Sequence, residues 1–166
     1  MTPPDISPAS TACPTEIDAL LRRSYQQALC ELNPPELLRV ALPVLCHATP
    51  ELLAAPGYFV AVRGNQLVGA AGWSHQTPFG LPGVEGLGHM RHVAVCPAHR
   101  RQGIGRALFE QIVADGGRVG VKAFVCLSTR PAVAFYTAMG FATQGDVDLQ
   151  LGPGVYFPAV QMRWAA

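Results

Sequence analysis

The sequence predicts an α/β protein in which helices flank a mixed central sheet, in the order β-α-α-β-β-β-α-β-α-β-β. Strand-like runs at residues 58–62 and 67–73 are joined by a Gly-Asn turn, as in a β-hairpin. Residues 123–127 are apolar at every position, which is typical of a parallel strand covered on both faces. Segments whose apolar residues recur at helical spacing separate these strands, so we expect helices and sheet to share a core.

The first half of the chain predicts a short strand, two helices and a long loop. Residues 6–9 predict an edge strand, because the proline among them cannot donate a hydrogen bond within a sheet. Apolar residues at helical spacing predict helices over residues 15–29 and 35–45, with Pro43 disturbing the second. Residues 74–88 contain proline and glycine without a regular period, and we expect a loop that forms one wall of a substrate site.

The second half of the chain predicts strands that alternate with helices. Gly116 and Gly117 are expected to end the first of these helices, and Gly140 the second. The predicted elements are a strand at 87–95, a helix at 105–115, a strand at 123–127, a helix at 130–138, and strands at 147–151 and 160–164.

Length and composition favour one globular domain. With 166 residues, 49% apolar and 14% charged, we expect a single domain over residues 15–166 after an N-terminal segment of residues 1–14. That segment lacks the basic start and apolar centre of a signal peptide. The net charge of +1 suggests neither a nucleic-acid nor a membrane partner. Five cysteines without a C-x-x-C pair favour free thiols in the cytoplasm, with no metal site.

A glycine-containing turn follows the predicted central strand and opens a helix. Gly103 and Gly105 lack a Cβ atom, so a ligand can approach the backbone N–H groups closely. A helix N-terminus also attracts anions. Between Glu85 and Glu110 there are four arginines and three histidines but no carboxylate. The turn therefore predicts a phosphate-binding loop.

The spacing of this loop excludes two common nucleotide-binding motifs. A P-loop would require a Gly-Lys pair, and the chain contains none. A dinucleotide-binding fingerprint would require a third glycine where Leu108 stands, on the apolar side of the helix. A plain glycine turn that binds nothing remains the alternative, although it leaves the acid-free stretch unexplained.

Residues 100–105 resemble the [Q/R]-x-x-G-x-[G/A] signature of the GCN5-related N-acetyltransferase (GNAT) superfamily. Residues 132–141 are similar to the A-x-x-F-Y-x-x-x-G-F helix of that family, and the predicted element order matches over about residues 6–164. Thr129 stands where the family often has asparagine. The resemblance implies that acetyl-CoA contacts Val93, Ala94, Val95, Arg100, Arg101, Gln102, Gly103, Ile104, Gly105, Arg106, Thr129 and Phe135.

The resemblance also implies an N-acetyltransferase in which a primary amine attacks the thioester directly in a ternary complex. Tyr136 matches the family's candidate acid for the departing thiolate, although its hydroxyl could instead merely order the sulfur. His89 is the candidate base, since an imidazole with a pKa near ~6.5 suits neutral pH. The period of a strand predicts that His89 and Arg91 share a face with Val93 and Val95. Glu85 or a chain of water molecules are the alternatives.

The acceptor is the least specified part of the prediction. A small-molecule or peptide amine fits the family, and Trp73 and Glu85 are the candidate substrate residues near the predicted loop. Two other classes of function stay open: a coenzyme A-binding module that has lost catalysis, and a plain interaction protein. A homodimer formed through a sheet edge or the last strands is compatible with the family.

Overall fold

The computed structural model describes all residues from Met1 to Ala166. Its strands are β1 (Asp5–Pro8), β2 (Tyr58–Arg63), β3 (Gln66–Ser74), β4 (Leu87–Val95), β5 (Ala123–Ser128), β6 (Ala142–Gly152) and β7 (Val155–Ala165). Its helices are α1 (Pro14–Leu29), α2 (Pro35–Leu45), α3 (Pro50–Ala54), α4 (Ile104–Arg118) and α5 (Val133–Ala138). The strands form one sheet in the order β1-β2-β3-β4-β5-β7-β6, in which only β4 and β5 are parallel. The predicted mixed α/β fold is confirmed.

Each face of the sheet is covered by its own apolar layer. Helices α1, α2 and α3 pack on one face, where Ile17 and Leu20 of α1 are fully buried with Tyr58 of β2. Helix α4 packs on the other face, where Leu108 and Ile112 are fully buried. Because both faces are covered, the inner strands can be apolar on both sides. None of the helices is long and apolar enough to cross a bilayer.

Prolines mark the beginnings of the N-terminal helices. Pro14, Pro35 and Pro50 each occupy the first position of a helix, where the missing N–H group costs nothing. Helix α3 was not predicted, although Thr49 and Pro50 form a start signal: the Thr49 hydroxyl accepts the Leu52 N–H at 3.2 Å. The predicted edge strand is confirmed, since β1 pairs only with β2.

The predicted end of α4 at Gly116 and Gly117 is wrong. Both glycines lie inside the helix, which continues to Arg118, and Gly120 with φ +87° follows it. Gly116 is instead a packing position, because a Cβ atom there would lie 2.7 Å from Cζ of Phe124 in β5. The glycine therefore permits a close approach of helix and sheet rather than a turn.

The last two strands are longer than predicted. They form a hairpin that reverses at Gly154, with φ +69°, and extend well beyond residues 147–151 and 160–164. Strand β6 forms the far edge of the sheet and is largely exposed. Because many of its residues are polar, no apolar pattern in the sequence marks its full length.

A β-bulge in β4 sets the geometry of the functional region. Opposite β3, Trp73 pairs with Met90 but Ala71 pairs with Val93, so β4 contains an extra residue between these pairs. The parallel pairing of β4 with β5 ends at His89 and Val125. From Met90 onward β4 has no partner on that side, and the two strands separate.

Candidate active site

The gap between β4 and β5 opens into a cleft of about 760 Å³. Its walls come from α1, the free part of β4, the turn that leads into α4, and the segment from Thr129 to Met139 that includes α5. Cavities of this size ordinarily bind small organic ligands.

One end of the cleft presents a row of free backbone donors. Arg101, with φ +59°, and Gly103, with φ +80°, turn the chain sharply before α4. The first hydrogen bond of the helix runs from the Ala107 N–H to the Gly103 carbonyl at 3.0 Å, and the N–H groups of residues 101–106 donate to no backbone carbonyl. Successive free N–H groups at a helix N-terminus form a site for an anion such as a pyrophosphate.

Two arginine side chains hold this loop in place through hydrogen bonds. Arg100 Nη2 donates to the Ser24 carbonyl of α1 at 3.1 Å. Arg63, at the end of β2, donates through Nη1 to Oε1 of Gln102. Arg101 and Arg106 are exposed at the mouth of the cleft, where they add positive charge around the free N–H groups.

The remainder of the cleft is mainly apolar. Ala28 of α1, Val93 and Val95 of β4, and Phe135 and Met139 at α5 line it. A ligand with an anionic head and an uncharged arm therefore matches the two ends. Coenzyme A, which has a pyrophosphate and a pantetheine arm, fits this distribution of charge.

Tyr136 of α5 lies at the inner wall of the cleft. It is 6% exposed and packs against the rings of Phe135 and Phe141. Burial raises the pKa of its phenol well above the ordinary value, and the neighbouring Cys126 thiol acts in the same direction. The phenol therefore stays protonated near neutral pH, so its O–H group is a hydrogen-bond donor.

His89 does not lie where the strand period predicted. The bulge changes the face of β4, so His89 points to the side of α1 and α2 with its pair partner Ser74, whereas Val93 and Val95 face α4. The expectation of a common face is wrong for this reason, and His89 is not part of the cleft lining. Burial, and secondarily the charge of Arg91, lower the pKa of His89, so its imidazole is neutral at neutral pH.

Some of the other predicted residues lie outside the cleft, and the rest line it. Trp73 lies in the core and donates from Nε1 to Asp115 Oδ2 at 2.9 Å, while Glu85 is exposed in the loop before β4. Ala94 is buried toward α1, and Gln102 is turned to Arg63. The predicted residues that line the cleft are Val93, Val95, Arg100, Arg101, Gly103, Ile104, Gly105, Arg106, Thr129, Phe135 and Tyr136.

Sequence reasoning missed the contribution of α1. Ser24, Tyr25 and Ala28 line the cleft, and burial raises the pKa of Tyr25. The helical spacing of Tyr25 indicated only a buried face. No local pattern could relate α1 to a loop that lies far along the chain.

Comparisons with known proteins agree with this geometry. The model of the acetyltransferase (GNAT) family matches residues 17–141. Among solved structures, a GCN5-related N-acetyltransferase from Rhodopseudomonas palustris has a TM-score of 0.77 at 16% identity and covers 100% of this chain and 98% of its own. The PaiA N-acetyltransferase from Thermoplasma acidophilum, in complex with coenzyme A, has a TM-score of 0.74 at 13% identity and covers 100% of both chains.

A third solved structure contains a similar domain as part of a longer chain. The N-acetylglutamate synthase from Neisseria gonorrhoeae, complexed with coenzyme A and N-acetyl-glutamate, has a TM-score of 0.68 at 17% identity, over 99% of this chain and 35% of its own. A search of curated proteins found no significant match. At these identities the solved structures show the fold, whereas the family model covers well over half of the sequence. The chain therefore belongs to the GNAT family of acetyltransferases.

Proposed function

We propose that this protein is an acetyl-CoA-dependent N-acetyltransferase in which a primary amine attacks the thioester directly within a ternary complex. One observation carries the proposal: a single cleft contains the free N–H groups of residues 101–106, the unpaired edge of β4 and the phenol of Tyr136. These parts come from separate segments of the chain, and together they would accommodate the anionic head, the arm and the sulfur of acetyl-CoA.

The chain's own residues account for binding. The N–H groups of residues 101–106 would hold the pyrophosphate, and Arg101 and Arg106 would raise the local positive potential. The free edge of β4 at Val93 and Val95 would hydrogen-bond the pantetheine arm as an added strand does. Acetyl-CoA supplies an activated acyl group, so the protein needs to orient the acceptor and move protons.

Two groups perform the proton transfers in this proposal. The amine must lose a proton before it attacks, because an ammonium with a pKa near ~10.4 has no free electron pair. His89 is neutral and accepts this proton through an intervening water molecule, since it lies outside the cleft lining. Tyr136 gives its phenolic proton to the leaving sulfur. Glu85, exposed in the loop, is the alternative base.

Titration calorimetry with acetyl-CoA tests the binding half of the proposal. Wild-type protein should bind with a Kd on the order of micromolar. Gly103→Asp places a carboxylate among the anion-binding N–H groups and should abolish binding, whereas Gly103→Asn, of the same shape but uncharged, should retain it within about tenfold. Gly120→Asp is the matched control, because Gly120 has a similar φ of +87° and is exposed just beyond the C-terminal end of α4, the end of the helix opposite to Gly103.

Two results would refute the binding site. The first is a folded wild-type protein that does not bind acetyl-CoA. The second is equal binding by the Asp and Asn variants at Gly103, since that would remove the electrostatic basis of the site.

Turnover separates the enzyme from a second candidate, a coenzyme A-binding module without catalysis. Thr129, which lines the cleft where the family often has asparagine, is the observation that favours this candidate. Thiol release from acetyl-CoA in the presence of a panel of primary amines should exceed release without amine. Intact binding without any amine-dependent release would favour the inactive module.

A further inference from the structure

Arg91 is a half-buried cation without an acidic partner. Its Nη1 donates to Ser74 Oγ at 3.0 Å, and this is its one side-chain hydrogen bond. The ion pairs of the protein join His47 to Asp18 and Arg118 to Asp115, so no carboxylate neutralises Arg91. The remaining N–H donors of this half-buried guanidinium are open to solvent, so they are available to an anion.

The Ser74 hydroxyl holds the Arg91 guanidinium in position. The Ser74 hydroxyl donates to the Gln76 carbonyl at 2.8 Å, which leaves its oxygen lone pairs to accept from Arg91. Ser74 ends β3, and Gln76 belongs to the loop that follows it. The charge is therefore fixed at the base of this loop, and its remaining N–H groups are free to bind an anion.

Along β4, Arg91 follows the cleft-lining residues on the side away from the phosphate-binding loop, but it is not itself one of the residues that line the cleft. Along β4, Val95 and Val93 line the cleft in order of increasing distance from that loop, and Arg91 follows about 7 Å beyond Val93. Arg91 lies in the bulge between Met90 and Val93, two residues beyond His89, the last residue of β4 that pairs with β5. It is thus close in the chain to the proposed base and lies where β4 and β5 have begun to separate.

We propose that Arg91 binds a carboxylate on the acceptor, so that the acceptor is an amino acid or a similar small amine that carries a carboxylate. This inference rests on the proposed acetyl transfer and specifies its substrate class. A guanidinium matches a carboxylate through parallel N–H donors. The other titratable groups beside it, Tyr58, His89 and His92, are uncharged at neutral pH, because burial raises the pKa of the phenol and lowers the pKa of both imidazoles. The site therefore offers the single positive charge of Arg91, which suits a singly charged carboxylate.

Matched pairs of acceptors test the inference. Each amino acid of a panel is compared with its carboxamide, which has the same size but no charge, at saturating acetyl-CoA and about pH 8, where His89 is neutral. The wild type should prefer acids over amides by about tenfold or more in kcat/KM. Arg91→Gln should raise KM for the acids by about 10- to 100-fold and leave KM for the amides within about twofold. Arg91→Lys should restore part of the preference.

A binding measurement separates this inference from the proposed function. N-acetyl amino acids and their amides are titrated into protein loaded with coenzyme A, which requires no turnover. Tighter binding of the acids, lost in Arg91→Gln, supports the carboxylate site even if no amine is acetylated. Equal binding of acids and amides by the wild type, or an equal loss of both in Arg91→Gln, overturns it.

Discussion

Gly105, in the first turn of α4, lies against the ring of Phe135 in α5, so closely that a Cβ atom on Gly105 would be 2.9 Å from Phe135 Cε2. The two residues belong to separate sequence motifs, and both line the cleft. The missing side chain therefore has two consequences: it leaves the backbone N–H groups accessible, and it lets α5 approach the phosphate-binding loop.

Gly105→Ala should weaken acetyl-CoA binding by about tenfold, because the added methyl group displaces Phe135 from the cleft wall. Calorimetry measures the change. Gly105→Ala combined with Phe135→Leu should recover most of the affinity relative to Phe135→Leu alone, since the ring that clashes is gone. If the double variant shows the full additional loss, the methyl group acts on the ligand directly and not through Phe135.

Gly116 and Gly117 should respond in opposite directions to the same substitution. Gly117→Ala meets no atom within 4 Å and should raise the free energy of unfolding by about 0.5–1 kcal/mol, because alanine is the better helix former. Gly116→Ala should lower it by about 1–3 kcal/mol, since its Cβ would lie 2.7 Å from Phe124 Cζ. Urea denaturation measures both, and equal effects would contradict the assigned packing.

Tyr136→Phe should lower kcat by about 10²-fold and leave the Kd for acetyl-CoA within about twofold, because only the proton donor is removed. Steady-state turnover and calorimetry measure these quantities. Tyr156→Phe is the control, since Tyr156 is 55% exposed on β7 and does not line the cleft. A loss of affinity with little change in kcat would show instead that the hydroxyl only orders the sulfur.

The fall of kcat/KM at acidic pH should reflect the protonation of His89. Burial and Arg91 hold the pKa of His89 below its ordinary value, so the neutral base persists at neutral pH. We expect kcat/KM to fall only when the pH drops below ~6.5, as His89 becomes protonated. The Arg91→Gln variant, assayed with an amide acceptor, should shift this fall to higher pH, because the repelling charge is gone. A fall that persists unchanged in His89→Gln would assign the base elsewhere.

Local sequence patterns predicted much of this fold and the phosphate-binding end of the site. The features of that loop lie within a few consecutive residues: a strand end, arginines, and the glycines Gly103 and Gly105 before a helix. Tyr136 was identified from the resemblance of residues 132–141 to the family's helix motif. The predicted ends of helices were less accurate, because a glycine can either end a helix or allow close packing. Gly116 was predicted to end α4, but it lies inside the helix and allows close packing against Phe124.

The tertiary structure decided what adjacent residues alone could not. The alternation of β4 continues in the sequence through Arg91 and His92, and only pairing with β3 introduces the bulge that turns His89 away from Val93. Likewise, the separation of β4 from β5 creates the cleft, and α1 supplies Tyr25 to its wall. Sequence determined the chemistry of each short segment, because turns, caps and periodicity are local. Strand register and helix packing determined which segments meet, because these depend on contacts between residues far apart in the chain.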